Sequence, residues 1–237
     1  MYVPRHNRMQ DRAQLVAFMR QYSFAALVTA GGSTPRATHL PWMIEERGGA
    51  LCLLAHLAKA NPQWRDFETG GEGLAIFQGP HAYVSPSLYQ RHPSVPTWNY
   101  AAVHAGGPLR LLESDEDKLR LLRGLAGVND PSYLAAMDQL PPEYLAQKLA
   151  GIVAFELTVR SLEGRWKLSQ DRSPEERQAI IQDLSSGDGP AAEVAALMRR
   201  QAPPDAVTEH SEGCGKAAQA AAPAPVATQT PCRRRDD

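Results

Sequence analysis

Cysteine is scarce in this chain. There are three in 237 residues, Cys52, Cys214 and Cys232, and no CxxC pair. That excludes a disulfide framework and the usual zinc spacings, and it points to a reducing, cytoplasmic compartment. Long apolar runs are missing too. No stretch approaches the roughly 18 apolar residues that a membrane-crossing helix needs. Met1 to Asp11 carries early arginines but no apolar run, so it does not read as a secretion signal. Charge of one sign is not in excess: 25 basic residues face 26 acidic ones, for a net charge of −1. A strongly basic nucleic-acid coat is thereby excluded. No GxGxxG, Walker A, HExxH or G-x-S-x-G segment occurs, which sets aside the common nucleotide, zinc-peptidase and serine-hydrolase sites. What remains is a globular chain, 43% hydrophobic, long enough to bury a sizeable core.

The last stretch stands apart. From Ala202 to Asp237 there is no Leu, Ile, Met, Phe, Tyr or Trp. Such a composition cannot offset its ordering entropy, so 202–237 is expected to be a disordered tail. Four of the basic and five of the acidic residues lie in it, which leaves a neutral body. Two of the three cysteines lie there as well.

The body alternates short extended runs with turn chemistry. Asp11 caps an expected helix whose apolar face is Leu15, Phe18, Met19 and Tyr22. Phe24–Ala30 and Arg36–Ile44 flank Gly31–Gly32–Ser33–Thr34–Pro35 and read as a β-hairpin. Further strands are expected at Ala50–Ala55, Gly73–Gln78, Ala82–Ser85, Thr97–Leu112 (broken at Gly106–Gly107–Pro108) and Gly151–Leu162. Helices are expected after Ser114, after Ser173–Pro174 and over Ala191–Arg200. About seven hairpin-connected strands with helices at the edges predict a mainly β, α+β fold, an antiparallel sheet or barrel. The expected organisation is a barrel domain over 1–170, a helical pair packed on it over 171–201, and the tail.

Four segments concentrate polar and aromatic residues. The first is Thr38–His39–Leu40–Pro41, where Pro41 cannot donate to a ladder and forces an edge or a bulge. The second runs from His56 through Lys59 and Asn61 to Trp64, from a strand end into a helix start, a place where donors suit an anion. The third joins Gly79–Ser85 to Trp98–Asn99–Tyr100. The fourth is Trp166–Lys167–Leu168–Ser169–Gln170, compatible with a loop over a ligand. Each also has a plain structural reading as core, interface or solvated connection. The histidines at 39, 56, 81 and 104 match no named metal spacing, so no metal is expected.

In this order, the segments resemble the PaiB-type FMN-binding negative transcriptional regulators. The resemblance is carried by Met1-Tyr2-Val3-Pro4-x-His6, Ala37-Thr38-His39-Leu40-Pro41, His56-x-Ala58-Lys59-Ala60-Asn61-Pro62-Gln63-Trp64, Gly79-Pro80-His81-Ala82-Tyr83-Val84-Ser85-Pro86, Trp98-Asn99-Tyr100 and Gly164-x-Trp166-Lys167-Leu168-Ser169-Gln170. Asn7 and Leu88 depart from the family's usual aromatics. The resemblance implies an antiparallel split β-barrel of the pyridoxamine-phosphate-oxidase-like group that dimerises and holds FMN at the subunit interface. It implies Thr38, His39, Leu40 and Pro41 along the flavin ring and His56, Lys59 and Asn61, beside Trp64, at the phosphate. Trp98, Asn99 and Tyr100 would come from the other subunit, and Lys167, Ser169 and Gln170 would close the site. The function implied is negative regulation of transcription, acting directly on DNA or through flavin-linked sensing. DNA as a direct partner is poorly supported by the neutral body. A flavin-dependent oxidoreductase and a haem-handling barrel are the alternatives.

Overall fold

A computed structural model describes residues 1–31, 34–67 and 70–201. The expected tail at 202–237 and turn residues 32 and 33 lie outside the described residues. After β1 (Arg8–Met9), Asp11 caps α1 (Arg12–Gln21) by accepting from the backbone N–H of Ala13 and Gln14. The strands β2 (Phe24–Thr29), β3 (Arg36–Pro41), β4 (Met43–Arg47) and β5 (Ala50–Ala58) follow. Gly48 and Gly49, both at positive φ, make the tight turn between β4 and β5. A two-turn 3-10 helix at Pro62–Phe67 leads to β6 (Glu72–Val84) and β7 (Thr97–Leu112).

Helices α2 (Asp115–Asn129), α3 (Leu134–Met137) and α4 (Pro142–Ala150) separate β7 from β8 (Ile152–Thr158) and β9 (Ser161–Lys167). Two helices close the body, α5 (Pro174–Ser185) and α6 (Gly189–Arg200). Ser114, Ser173 and Asp188 cap α2, α5 and α6.

The strands pair antiparallel in the order β3-β2-β6-β7-β8-β5-β4, with β9 joining β7 and β1. The two ends of that order, β3 and β4, are joined by the single residue Trp42. One residue cannot span a flat seven-strand sheet at about 4.8 Å per strand. The sheet therefore curls until its ends meet, and β3 then lies beside β5 without a ladder between them. This is a split β-barrel, as the family resemblance implies. Trp42 itself plugs the join. It is buried, donates its indole N–H to the Ala25 carbonyl at 3.2 Å and meets the Phe155 ring edge-on at 5.6 Å. Inside lie Leu27, Leu53, Leu57, Phe77, Val103, Phe155 and Leu157, all buried. Each contributes about 1.5–3 kcal/mol by leaving water.

Several elements differ from the sequence expectation. The run Arg36–Ile44 is two strands, β3 and β4, divided at Trp42. Gly79–Pro80 bulges β6 rather than ending it, because the register with β7 slips between Gln78 and His81 and the ladder resumes. Gly106–Gly107 does not break β7. It marks where β7 changes partner from β9 to β8, and a Cβ on Gly107 would lie 2.0 Å from the Thr158 carbonyl oxygen. Thr158 begins the two-residue crossing from β8 to β9, so only a glycine fits beneath it. The expected run Gly151–Leu162 is accordingly two strands.

The outer surface of the barrel has two characters. Over β4, β5 and β8 it is covered by α2, with Leu121 of α2 seated among Cys52, Leu54, Leu112 and Ala154. Over β2, β3, β6, β7 and β9 no helix among the described residues covers it. Phe24 is 67% exposed there, Trp98 52% and Tyr83 49%.

Candidate functional site

Among the described residues, strand β3 pairs only with β2, which leaves the other edge of its backbone without a ladder. Direct cross-strand partners share a face. Thr38 lies opposite buried Leu27 and points inward with Leu40, whereas His39 and Pro41 point outward. His39 stacks on Phe24 with ring centroids 6.3 Å apart. The Thr38 hydroxyl donates to Gln63 Oε1 at 2.5 Å and accepts from Asn61 Nδ2 at 3.0 Å. Gln63 is buried and spends its amide donors on the Leu27 and Arg36 carbonyls and on Thr29 Oγ1. Asp66 extends the network, accepting from Thr29 Oγ1 at 2.6 Å and from Arg36 at 2.5 Å. Burial alone would raise the Asp66 carboxyl. The hydrogen bonds from Thr29 and Arg36 outweigh it and hold the group below its ordinary value. The barrel end beneath β3 is thus a satisfied polar plug, and Thr38 and Asn61 are fixed in it.

The end of β5 supplies the next group. Lys59 N–H donates to the Gly151 carbonyl at 2.9 Å, and the Trp64 indole donates to the Lys59 carbonyl at 3.1 Å. Lys59 and Trp64 border a 420 Å³ cavity whose other walls include Leu112, Lys118, Ile152 and Ala154. Lys118 is paired with Asp115 at 3.1 Å. Lys59 has no ion-pair partner among the described residues, and its ammonium is exposed. His56 sits opposite Ala154, on the same face of the sheet. Its Nδ1 is buried without a hydrogen-bond partner, and burial lowers its pKa. A buried orphan nitrogen three residues from a free ammonium suits a guest that brings anionic oxygens. The phosphate of FMN is such a guest, so these residues fit that cofactor.

The remaining predicted residues lie elsewhere. Trp98 and Tyr100 stand on the uncovered face, Trp98 with its ring 5.9 Å from both His81 and Tyr83, and Tyr100 beneath the Arg165 guanidinium at 5.3 Å. Lys167 pairs with Tyr100 across the ladder and donates to the Thr97 hydroxyl. Asn99 points the other way and is fully buried. It accepts from Ser169 Oγ at 3.0 Å and lies 3.4 Å from Met198 Sδ. Gln170 is held by the Leu168 N–H, the Trp166 carbonyl and the Gln201 side chain. Among the described residues, no three His, Cys, Asp or Glu side chains gather as a metal site.

Thr38 is level with Leu27, Ala75 and Ala105 across the sheet. Trp98 lies three strands away from it, roughly 14 Å across, and seven residues further along, roughly 23 Å. The two predicted clusters therefore stay apart within one chain. Sequence reasoning missed two contributors. Gln63 and Asp66 organise the plug; Gln63 falls inside the motif that carries the family resemblance but has no role assigned there, and the signal for Asp66 is its place behind Asn61–Pro62. Arg177 is also buried, and its signal was visible: it falls on the apolar face of α5 with Ile180, Ile181 and Leu184.

Comparison with known proteins gives these features a frame. A family model described as "Putative FMN-binding domain" matches residues 1–161. The chain is 37% identical over 202 residues to "Protease synthase and sporulation protein PAI 2" of Bacillus subtilis (strain 168), spanning 84% of this chain and 96% of that one. It is 28% identical over 184 residues to "Uncharacterized protein AN0679" of Emericella nidulans, spanning 62% and 73% of the two chains. Two solved structures share the fold. The flavocytochrome Anf3 of Azotobacter vinelandii aligns with a TM-score of 0.55 at 15% identity over 70% of this chain and 72% of its own. An FAD and heme binding protein of Mycobacterium smegmatis aligns with a TM-score of 0.55 at 16% identity over 77% and 81%. The chain belongs to the PaiB-type FMN-binding family, a split β-barrel whose cofactor is FMN.

Proposed function

We propose that two copies of this chain close on each other through the uncovered face, hold FMN in the seam between them, and act in the cytoplasm as a flavin-linked negative regulator of transcription. One observation carries the reading: each chain offers two ligand-type clusters too distant for one flavin, the anion-suited one at Lys59 and the exposed aromatic one at Trp98. His56, Lys59 and Asn61 of one copy hold the phosphate, with Trp64 walling the same end. The free backbone edge of Thr38, His39, Leu40 and Pro41 runs along the ring. Trp98 and Tyr100 of the other copy cover the ring's open side, and Lys167 approaches it from β9. Asn99, Ser169 and Gln170 act beneath the surface by fixing that aromatic strand and the loop after β9. FMN, once bound, supplies the electron-transfer chemistry, and the protein orients it and excludes water.

The regulatory role rests on the relationship to the PAI 2 protein of B. subtilis. Direct operator binding is the less favoured route, because the body is neutral. Direct binding predicts a steep loss of affinity with salt in a gel-shift titration; a flat response would leave flavin-linked sensing as the route. The cavity beside Lys59 favours a second reading, a flavin-dependent oxidoreductase for a small molecule. Titration with FMN followed by absorption and fluorescence tests the common core of both readings. Saturable quenching of flavin fluorescence supports them, and unquenched flavin at saturating protein rejects them.

A further inference from the structure

Arg177 of α5 is the buried cation that the flavin reading leaves unused. Its side chain is only 5% exposed. One guanidinium nitrogen donates to the Leu168 carbonyl at 2.7 Å and the Ser169 carbonyl at 3.0 Å, and the other reaches the Met198 carbonyl at 3.4 Å. Three carbonyl dipoles stabilise the charge but do not neutralise it. No carboxylate lies within ion-pair distance of Arg177 among the described residues; Asp171 acts on it only at longer range. Three carbonyl contacts use three of the five N–H donors that a guanidinium carries.

Arg177 also lines a 320 Å³ cavity between the start of α5 and the end of α6. The other walls are Pro174, Gln178, Ile181, Met198, Arg199 and Gln201. Two of the seven lining side chains are arginines, two are carboxamides, and none is acidic. Arg199 makes no ion pair among the described residues and spends one nitrogen on the Ser185 hydroxyl. A concave site with two arginines, neutral amide donors and no acid selects an anion.

We propose that this cavity binds a small oxyanion, a carboxylate or phosphate group, between Arg177 and Arg199. The site lies outside residues 1–161, the part that the FMN-binding family model matches. It is tied to the loop after β9 nonetheless. The same guanidinium holds the Leu168 and Ser169 carbonyls, and Ser169, at φ 57°, in turn bonds to Asn99 under the aromatic strand. A bound oxyanion therefore bears on the segment that carries Lys167 and Gln170.

Thermal unfolding of the full chain tests this, with and without saturating FMN, so that a phosphate site for flavin is blocked in one arm. Sodium phosphate and sodium succinate are titrated against sodium chloride at matched ionic strength. The proposal predicts a saturable rise in Tm of a few degrees in both arms, as expected for a ligand that binds only the folded state. A response to one salt alone identifies the oxyanion. Arg199→Ala, at an exposed position, should weaken the response at least tenfold while keeping the unliganded Tm. The proposal is overturned if neither salt raises Tm beyond chloride, or if Arg199→Ala responds as the wild type does. Because the salt arms do not need FMN, loss of flavin binding would reject the flavin reading without touching this one.

Discussion

The two outer faces of the barrel belong to one curled sheet and meet opposite fates. Over β4, β5 and β8, Cys52, Leu54, Leu112 and Ala154 are sealed by Leu121 of α2. Over β2, β3, β6, β7 and β9, Phe24, Tyr83 and Trp98 stay open, although tyrosine and tryptophan supply rigid contact area at interfaces. The insertion between β7 and β8 accounts for the difference, because its helices reach one face and not the other. The covered face serves stability within the chain. The open face is suited to serve assembly, and the proposed flavin site runs from its β3 edge to the Lys59 cavity beside α2.

Substitutions on the two faces should therefore fail in different ways. Leu121→Ala empties a fully buried site. It should cost about 2–5 kcal/mol in denaturant unfolding, while the oligomeric state of the folded fraction stays that of the wild type. Phe24→Glu puts a charge on the open face. It should leave the monomer's unfolding within about 1 kcal/mol, as surface changes do, and weaken self-association at least 100-fold by light scattering across a dilution series. If both variants lose stability and neither changes mass, the two faces do not differ in role.

Lys59→Ala removes one charge-assisted contact to the flavin phosphate, worth about 1.5–3 kcal/mol, so FMN should bind roughly 10–100-fold more weakly by fluorescence quenching. Riboflavin, which lacks the phosphate, should bind wild type and variant alike.

The smallest expected effect is on pH dependence. Burial lowers the His56 pKa below its ordinary 6.5. The unfolded chain then takes up a proton that the folded chain refuses, so the stability tied to neutral His56 is complete above about pH 6.5 and is lost as pH falls through the folded value. His56→Leu should lose less Tm between pH 7 and pH 5 than the wild type does. FMN should shrink the wild type's loss, because a phosphate beside the ring favours its protonated form.

Much of this fold was legible before any coordinates. Turn chemistry at Gly31–Pro35, the caps Asp11, Ser114 and Ser173, and the long extended run at Thr97–Leu112 all announce themselves locally. Long-range facts did not. Nothing near Gly107 says that the Thr158 carbonyl passes over it, and nothing near Gly79–Pro80 says that the ladder resumes beyond a bulge. The candidate site divides in the same way. Thr38, Lys59 and Trp98 are candidates that residue type and order single out, whereas the inward turn of Asn99 depends on strand parity, which a one-residue bulge resets. Gln63 and Asp66 read as ordinary polar residues of a short helix until the barrel end closes around them.

Light scattering of the purified chain during an FMN titration tests the central claim most directly. Two chains per particle with one FMN bound per chain, and no binding by Phe24→Glu held monomeric by dilution, is the result predicted here. A monomer that binds FMN as tightly as the dimer, or a dimer that binds none, would contradict it.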